Sequence, residues 1–144
     1  MSNKIVLVDI DNTISDSSWR QALIAEENWD SFHAASTFDK PINSVVGLVN
    51  VLSKHYTVIA HTGRTEKFRK ITMEWLCNHR VEFNQLWMRP NHDYRPAHEI
   101  KLEQAIEAYG QNLSDHVSFI IDDDERVIEA YSAMGVPCLQ VWAK

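Results

Sequence analysis

The chain has 144 residues, 44% of them hydrophobic, and this length and composition predict one domain with an ordinary buried core. Its formal net charge of −6 argues against a protein that holds nucleic acid through a broad basic surface, although a local contact with a strand end remains compatible with that charge. No apolar stretch approaches the ~20 residues of a membrane-spanning helix, so we expect no membrane partner.

Five short apolar runs, bounded by polar residues and turn formers, have the pattern of buried parallel strands. They are residues 5–8, 56–60, 86–88, 117–121 and 138–142. Helical patterns lie between them, at residues 44–52, 68–76, 98–109 and 125–134. Strands that alternate with helices imply right-handed crossovers. We therefore predict an α/β fold with a doubly wound, Rossmann-like, mostly parallel five-stranded sheet and helices on both faces.

Residues 14–43 follow the first strand directly and show only weak periodicity. The segment is too short for a separate domain, so we predict that residues 1–144 form one domain in which 14–43 is a minimal cap or flap. Its aromatic residues include Trp19, Trp29 and Phe32. We expect these three to bury the flap against the sheet, and stacking on a nucleic-acid base is the alternative.

The two cysteines, Cys77 and Cys138, stand in apolar segments without paired spacing. We expect both to be small buried side chains rather than metal ligands or redox groups. Unpaired thiols of this kind suit a reducing compartment, so the expected location is the cytoplasm.

Polar residues follow four of the predicted strands. Asp9 and Asp11 follow the first strand, Thr62 and Arg64 the second, Arg89 the third, and Asp122, Asp123 and Asp124 the fourth. Ligands of doubly wound sheets bind beyond the carboxyl ends of the strands. The sequence therefore predicts a site at this rim, with Asp124 more simply explained as the cap of the following helix.

Hydrolysis of a phosphate ester needs a nucleophile, a proton donor for the leaving oxygen, and cations that offset charge on the transferring group. In our interpretation Asp9 attacks phosphorus, while Asp11 protonates the leaving group and later activates water. Mg²⁺ prefers oxygen ligands, which Asp9, the backbone carbonyl of Asp11 and Asp122 can supply. Thr62 offers a hydroxyl to a phosphoryl oxygen, and Lys101 offers a positive charge to nucleophile and phosphate.

These residues resemble the four motifs of the haloacid dehalogenase (HAD) superfamily. The motifs are matched in order by Asp9-x-Asp11-x-Thr13, Thr62, Lys101 and Asp122-Asp123. The resemblance implies a Mg²⁺-dependent phosphatase, with Thr13 and Asp123 in supporting roles. The superfamily usually has glycine at the position of Asn12, and asparagine tolerates the backbone angles of such a turn.

Within the superfamily, the chain is most similar to the 3′-phosphatase domain of phage-type polynucleotide kinases. The similarity rests on Thr62-Gly63-Arg64, on Asp93-x-Arg95 followed six residues later by Lys101, and on Ile121-Asp122-Asp123. It implies substrate contacts by Arg64 and Arg95. Residues 96–98 depart from the charged residues often found there, and the Gly-rich, phosphate-cradling loop of a kinase is absent. A separate kinase or ligase is accordingly an expected partner.

Three functions are compatible with this sequence. The leading hypothesis is removal of a 3′-phosphate from a DNA or RNA end through an aspartyl-phosphate. The second is hydrolysis of free nucleotides or other small phosphomonoesters, which the acidic net charge favours slightly. The third is a non-catalytic module that recognises phosphorylated ends, a role that would not need the Asp9 and Asp11 pair.

Overall fold

A five-stranded sheet forms the centre of the fold. The computed structural model describes residues 4–21 and 29–142. Its strands are β1 (Ile5–Val8), β2 (Ser15–Asp16), β3 (Lys40–Pro41), β4 (Thr57–Thr65), β5 (Gln85–Arg89), β6 (Val117–Asp122) and β7 (Cys138–Gln140). Its α-helices within those ranges are α1 (Trp29–Ala34), α2 (Asn43–Leu52), α3 (Arg69–Asn78), α4 (Ala97–Tyr109) and α5 (Glu125–Ala133).

The sheet has the strand order β5–β4–β1–β6–β7, and each neighbouring pair is parallel. This arrangement confirms the predicted doubly wound α/β fold. The strand order reverses at β1, because the chain continues to β4 on one side of it and to β6 on the other. Such a switch point opens a crevice beyond the strand ends, where ligands bind.

β1 is buried on both of its faces. Val6 and Val8 belong to one apolar cluster with side chains of α2 and α3, while Ile5 and Leu7 belong to a second cluster with side chains of α4 and α5. A strand covered on both sides needs apolar residues at every position rather than at alternate ones. This burial explains why β1 reads as an unbroken apolar run.

Some element boundaries differ from the sequence prediction. The second predicted strand ends at residue 60, whereas β4 continues to Thr65, so Thr62 and Arg64 lie in the strand and not after it. Pairing with β5 breaks after His61 and resumes between Thr65 and Arg89, which extends the strand across polar residues. α2 begins at Asn43, so Ser44 lies inside the helix and does not cap it.

The segment 14–43 contains a small antiparallel sheet of β2 and β3, helix α1, and 3₁₀ turns at Ser18–Arg20 and Ala35–Phe38. Residues 22–28 of the predicted cap lie outside the described residues. Phe32 is buried as expected, but Trp19 and Trp29 are about half exposed, so the prediction that they are buried is wrong. The extent of the cap as a unit stays a prediction.

Cys77 is exposed and Cys138 is half-buried, and both are free thiols. The predicted burial of Cys77 is wrong. Leu76 lies on the face of α3 that packs on the core, whereas Cys77 lies on the exposed face of the same helix. In the described part of the chain, every helix is too short or too polar to cross a bilayer.

Candidate active site

Asp9 lies directly beyond the central strand and is almost fully buried. Its backbone N–H donates to the Ile121 carbonyl at 2.9 Å, which fixes it against β6. Lys101 Nζ donates to Asp9 Oδ1 at 2.9 Å and to Asp122 Oδ2 at 2.7 Å. Thr13 Oγ1 donates to Asp9 Oδ2 at 2.9 Å. Both oxygens of Asp9 are thus held in a fixed orientation.

A tight turn after Asp9 brings Thr13 back towards it. Asn12 adopts a left-handed conformation with φ of 59°, and its N–H donates to the Ser15 carbonyl at 2.7 Å. Thr13 and Ser15 both donate their N–H groups to the Ile10 carbonyl. Asparagine is one of the few residues besides glycine that enter this region readily, so the turn tolerates Asn12 as expected.

Asp9, Asp122 and Asp123 form an acidic trio. Each offers a carboxylate oxygen that lies within 4.8 Å of the other two. Burial, and then repulsion from Asp9, raises the pKa of both Asp122 and Asp123. When all three carboxylates are ionised, the ammonium of Lys101 leaves two negative charges, which a divalent cation would neutralise. The donor set, all oxygen, is the one that Mg²⁺ prefers.

The Asp11 carboxylate turns away from this trio and towards two arginines. Arg64 binds it through Nε to Oδ2 at 3.1 Å and Nη2 to Oδ1 at 2.7 Å, and Arg20 Nη2 donates to Oδ1 at 2.7 Å. Burial acts to raise the pKa of Asp11, but the two arginines outweigh it and hold that pKa well below its usual range. A metal contact by the Asp11 carbonyl stays a prediction.

Asp39 completes this group from the cap. Its carboxylate accepts from Arg20 Nε at 2.8 Å, from Arg20 Nη2 at 2.6 Å and from Trp19 Nε1 at 2.9 Å, and it lies 3.7 Å from Arg64 Nη2. Two arginines and two carboxylates therefore balance in a buried cluster. The sequence predicts neither Arg20 nor Asp39 as a site residue, because their segment shows only weak periodicity. A basic residue among aromatics is the signal that points to Arg20.

The remaining predicted site residues differ in burial: Thr62 and Arg64 are buried, and Arg95 is at the surface. Thr62 is buried in β4 and its hydroxyl oxygen accepts from the Arg64 N–H at 3.1 Å. Arg64 is 1% exposed and lies behind Asp11. Arg95 is at the surface, paired with Asp93 at 2.8 Å and with Glu103. Substrate contacts by Thr62, Arg64 and Arg95 stay predictions.

A cavity of about 1090 Å³ connects Asp9, Asp11 and Arg95 with solvent, whereas Thr62 and Arg64 are not among its described lining residues. Its described lining includes Asp9, Asp11, Lys101 and the acidic residues that follow β6, together with side chains of α1 and of the segment after β5. His33 of α1 also lines it, and burial lowers the pKa of His33 to about 4, so its imidazole is neutral at pH 7. The site is therefore open and has room for more than a phosphate group.

Comparison with solved structures defines the class of this fold. A wild-type HAD-family enzyme from Bacteroides thetaiotaomicron, solved with magnesium and inorganic phosphate, matches with a TM-score of 0.58 and 15% identity over 96% of this chain and 94% of that chain. The class C acid phosphatase from Bacillus anthracis with tungstate bound matches with a TM-score of 0.61 and 13% identity over 88% of this chain and 54% of that chain. The chain has the fold of the HAD hydrolases.

A family model then defines the protein more closely. Residues 3–143 match the model of the polynucleotide kinase PNKP phosphatase domain, and the chain belongs to that family of phosphatases. A chain of the Pnkp1/Rnl/Hen1 RNA repair complex is similar, with a TM-score of 0.81 and 25% identity over 97% of this chain. This chain spans only 42% of that longer relative. No curated protein matches the sequence.

Proposed function

We propose that this chain removes the 3′-phosphate from the end of a DNA or RNA strand, in a Mg²⁺-dependent reaction through an aspartyl-phosphate on Asp9. The observation that carries the proposal is the juxtaposition of a buried, doubly fixed Asp9 with a second carboxylate, Asp11, at the mouth of an open cavity.

Asp9 is oriented for attack on phosphorus. Lys101 and Thr13 bind its two oxygens, so the carboxylate cannot rotate freely and loses little entropy in reaching the transition state. An attacking Asp9 oxygen forms the new bond to phosphorus while the bond from phosphorus to the 3′-oxygen breaks. The ammonium of Lys101 stays beside the carboxylate and offsets charge on the transferring group.

Asp11 supplies the proton that the leaving 3′-oxygen needs. In the free protein Arg20 and Arg64 favour its carboxylate form. A phosphate bound in the cavity brings negative charge close to Asp11, and repulsion between the two groups favours a protonated Asp11 in the complex. After the 3′-hydroxyl leaves, the carboxylate of Asp11 accepts a proton from the water that hydrolyses the aspartyl-phosphate.

Asp9, Asp122 and Asp123 would hold the magnesium ion, which when bound offsets charge on the phosphoryl oxygens. Asp122 is oriented for this role because its Oδ1 accepts from the Asp124 N–H at 3.0 Å. The Asp124 carboxylate caps α5 by accepting from the Arg126 N–H at 2.9 Å, so the start of the helix and two members of the acidic trio are built from one turn.

The openness of the cavity supports a polymer as the substrate. A deep cap would seal a small metabolite from water, whereas this cavity reaches the surface between the cap and the segment after β5. The family match supports the same substrate class. Similarity to a chain of an RNA repair complex also supports our inference that a separate repair enzyme acts on the same ends.

Phosphate release from defined substrates tests this function. With Mg²⁺ present, we expect release from an oligonucleotide with a 3′-phosphate to exceed release from the same strand with a 5′-phosphate and from nucleoside monophosphates. Asp9→Asn should release none while keeping the far-UV circular dichroism of the wild type. A strong preference for mononucleotides would favour the small-ester alternative, and no release from any ester would favour a binding module.

A further inference from the structure

The cavity extends well beyond the catalytic carboxylates. Part of its wall is the segment between β5 and α4, which contributes Asn91, His92, Asp93, Tyr94 and Arg95 to the lining. A terminal phosphate that reaches Asp9 occupies only the inner end of a cavity of about 1090 Å³. The outer part must therefore face whatever the phosphate is attached to.

This segment is firmly held in one conformation. Arg89 donates to the carbonyl oxygens of Gly63 at 2.8 Å and Asp93 at 2.9 Å, and also to that of Arg95. The Asn91 carboxamide accepts from the Lys67 N–H at 3.0 Å. The segment is thus bonded to Arg89 of β5 and to the turn before α3, and Arg89 is itself bonded to β4.

At the tip of this segment, Tyr94 is 85% exposed. Within residues 4–21 and 29–142 no aromatic ring packs against its ring, and its hydroxyl makes only a long contact of 3.4 Å with His92 Nδ1. By contrast, the ring of Trp29, which also lines the cavity, already packs on Phe32 and His33. Tyr94 is therefore an exposed ring on a well-anchored segment, and its faces are open at the cavity.

We propose that Tyr94 stacks on a nucleobase near the phosphorylated end, so that the preferred substrate is a single-stranded end whose bases are free to leave a helical stack. The proposal rests on the proposed function. A base suits this position because every base offers an apolar face, and stacking on an aromatic side chain needs no positive surface. The carboxylates at the rim of the cavity, Asp30, Asp93 and Asp124, do not oppose it, because each of them is paired with a cation.

The arginine and lysine side chains around Tyr94 favour this choice over a purely electrostatic contact with the strand. Arg95 is bound to Asp93 and Glu103, Lys67 to Asp30, and Arg126 lies 3.5 Å from Asp124. Each of these three cations already has a carboxylate partner, and Arg89, which also lines the cavity, directs its guanidinium at backbone carbonyls, so little positive charge is free to bind the strand. Contact with the strand must then come largely from its bases.

The experiment compares kcat/KM for two 3′-phosphorylated single strands that are identical except that one lacks bases at the two terminal nucleotides. For the wild type we expect the base-bearing strand to be preferred, and Tyr94→Ala should reduce that preference about tenfold, since stacking contributes ~1 to 3 kcal/mol per base. Tyr94→Phe should retain the preference, because it keeps the ring.

A binding experiment measures the same preference without turnover. Fluorescence anisotropy compares the affinity of both strands for Asp9→Asn and for Asp9→Asn/Tyr94→Ala.

Phe38→Ala is the matched control, because Phe38 is an exposed aromatic that is not among the cavity-lining residues, and it should leave the preference unchanged. An equal loss on both strands, or no change in Tyr94→Ala, would overturn the stacking proposal while phosphate release by the wild type still supported the proposed function. Absence of release from both strands, with no difference in their binding, would reject the two proposals together.

Discussion

At the scale of single residues, Asp11 differs from Asp9 in its surroundings more than in its chemistry. Asp9 is a member of the acidic trio and accepts hydrogen bonds from Lys101 and Thr13. Asp11 instead accepts hydrogen bonds from Arg20 and Arg64. Two carboxylates in different fields can divide nucleophilic and acid–base tasks. The division proposed here predicts different responses to the leaving group.

Asp11→Asn should slow hydrolysis of a 3′-phosphorylated oligonucleotide by about 10²- to 10⁴-fold, the usual contribution of a general acid. It should slow hydrolysis of p-nitrophenyl phosphate far less in the step that cleaves the ester, because nitrophenolate departs without a proton. Burst kinetics with both esters separate this first step from hydrolysis of the intermediate. Equal losses of the burst rate on the two esters would contradict the acid role of Asp11.

Asp39→Asn should destabilise the protein by roughly 3 to 5 kcal/mol, because it leaves the buried Arg20 without its main partner. The matched control is Asp30→Asn, which breaks the exposed pair with Lys67 at 2.7 Å and should cost less than about 1 kcal/mol. Urea unfolding of the three proteins measures both changes. A cost for Asp39→Asn no larger than that of the control would mean that Arg20 finds another partner or water.

At the scale of elements, β4 is tied to α4 by a buried histidine. His61 Nε2 lies 2.8 Å from Gln104 Oε1, and Gln104 donates to the Met88 carbonyl of β5 at 2.8 Å. Burial, assisted by the charge of Lys101, lowers the pKa of His61 to about 3. The folded protein therefore holds a neutral imidazole between the sheet and the helix.

This linkage makes stability depend on pH. Well above pH 6.5 the imidazole is neutral in both states and contributes nothing to the slope. As the pH falls below 6.5 the unfolded chain takes up a proton that the folded chain excludes, until the folded group also titrates near pH 3. Between pH 6.5 and 4.5 the free energy of unfolding should fall by about 2 to 3 kcal/mol from this residue.

Urea unfolding of His61→Gln across the same pH range should show a shallower decline than the wild type. His55→Gln, which changes an exposed histidine, should follow the wild-type curve. If His61→Gln kept the full slope, the decline would belong to other groups and His61 would not be buried in its neutral form.

The sequence predicted the sheet because β1 and its neighbours are buried on both faces and read as short apolar runs. It also predicted that Asp9 and Asp122 meet, since parallel strands carry their following residues to one rim. It did not predict the contact between Arg20 and Asp39, which are 19 residues apart in a segment without periodicity. The continuation of β4 through Arg64 was missed for a related reason, because polar residues interrupt the apolar pattern there.

At the scale of the whole molecule, the net charge of −6 and a nucleic-acid substrate are compatible because part of the acidity is concentrated where a cation is expected. The trio of Asp9, Asp122 and Asp123 is a repulsive cluster without a metal, and we propose that it is a binding site with one. The same charges therefore lower stability in one condition and raise it in the other.

Asp123→Asn should consequently have opposite effects with and without Mg²⁺. Burial and Asp9 raise the pKa of Asp123, so its favourable protonated form is lost as the pH rises, and at pH 8 the ionised group destabilises the metal-free protein. Removing that charge should raise the metal-free Tm. It should also reduce the rise in Tm on adding Mg²⁺, which for the wild type corresponds to about 2.7 kcal/mol at 100 times the dissociation constant.

The control is Asp115→Asn, which changes an exposed residue and should match the wild type in both conditions. An undiminished response of Asp123→Asn to Mg²⁺ would exclude Asp123 as a ligand and leave Asp9 and Asp122 as the carboxylate ligands of the ion.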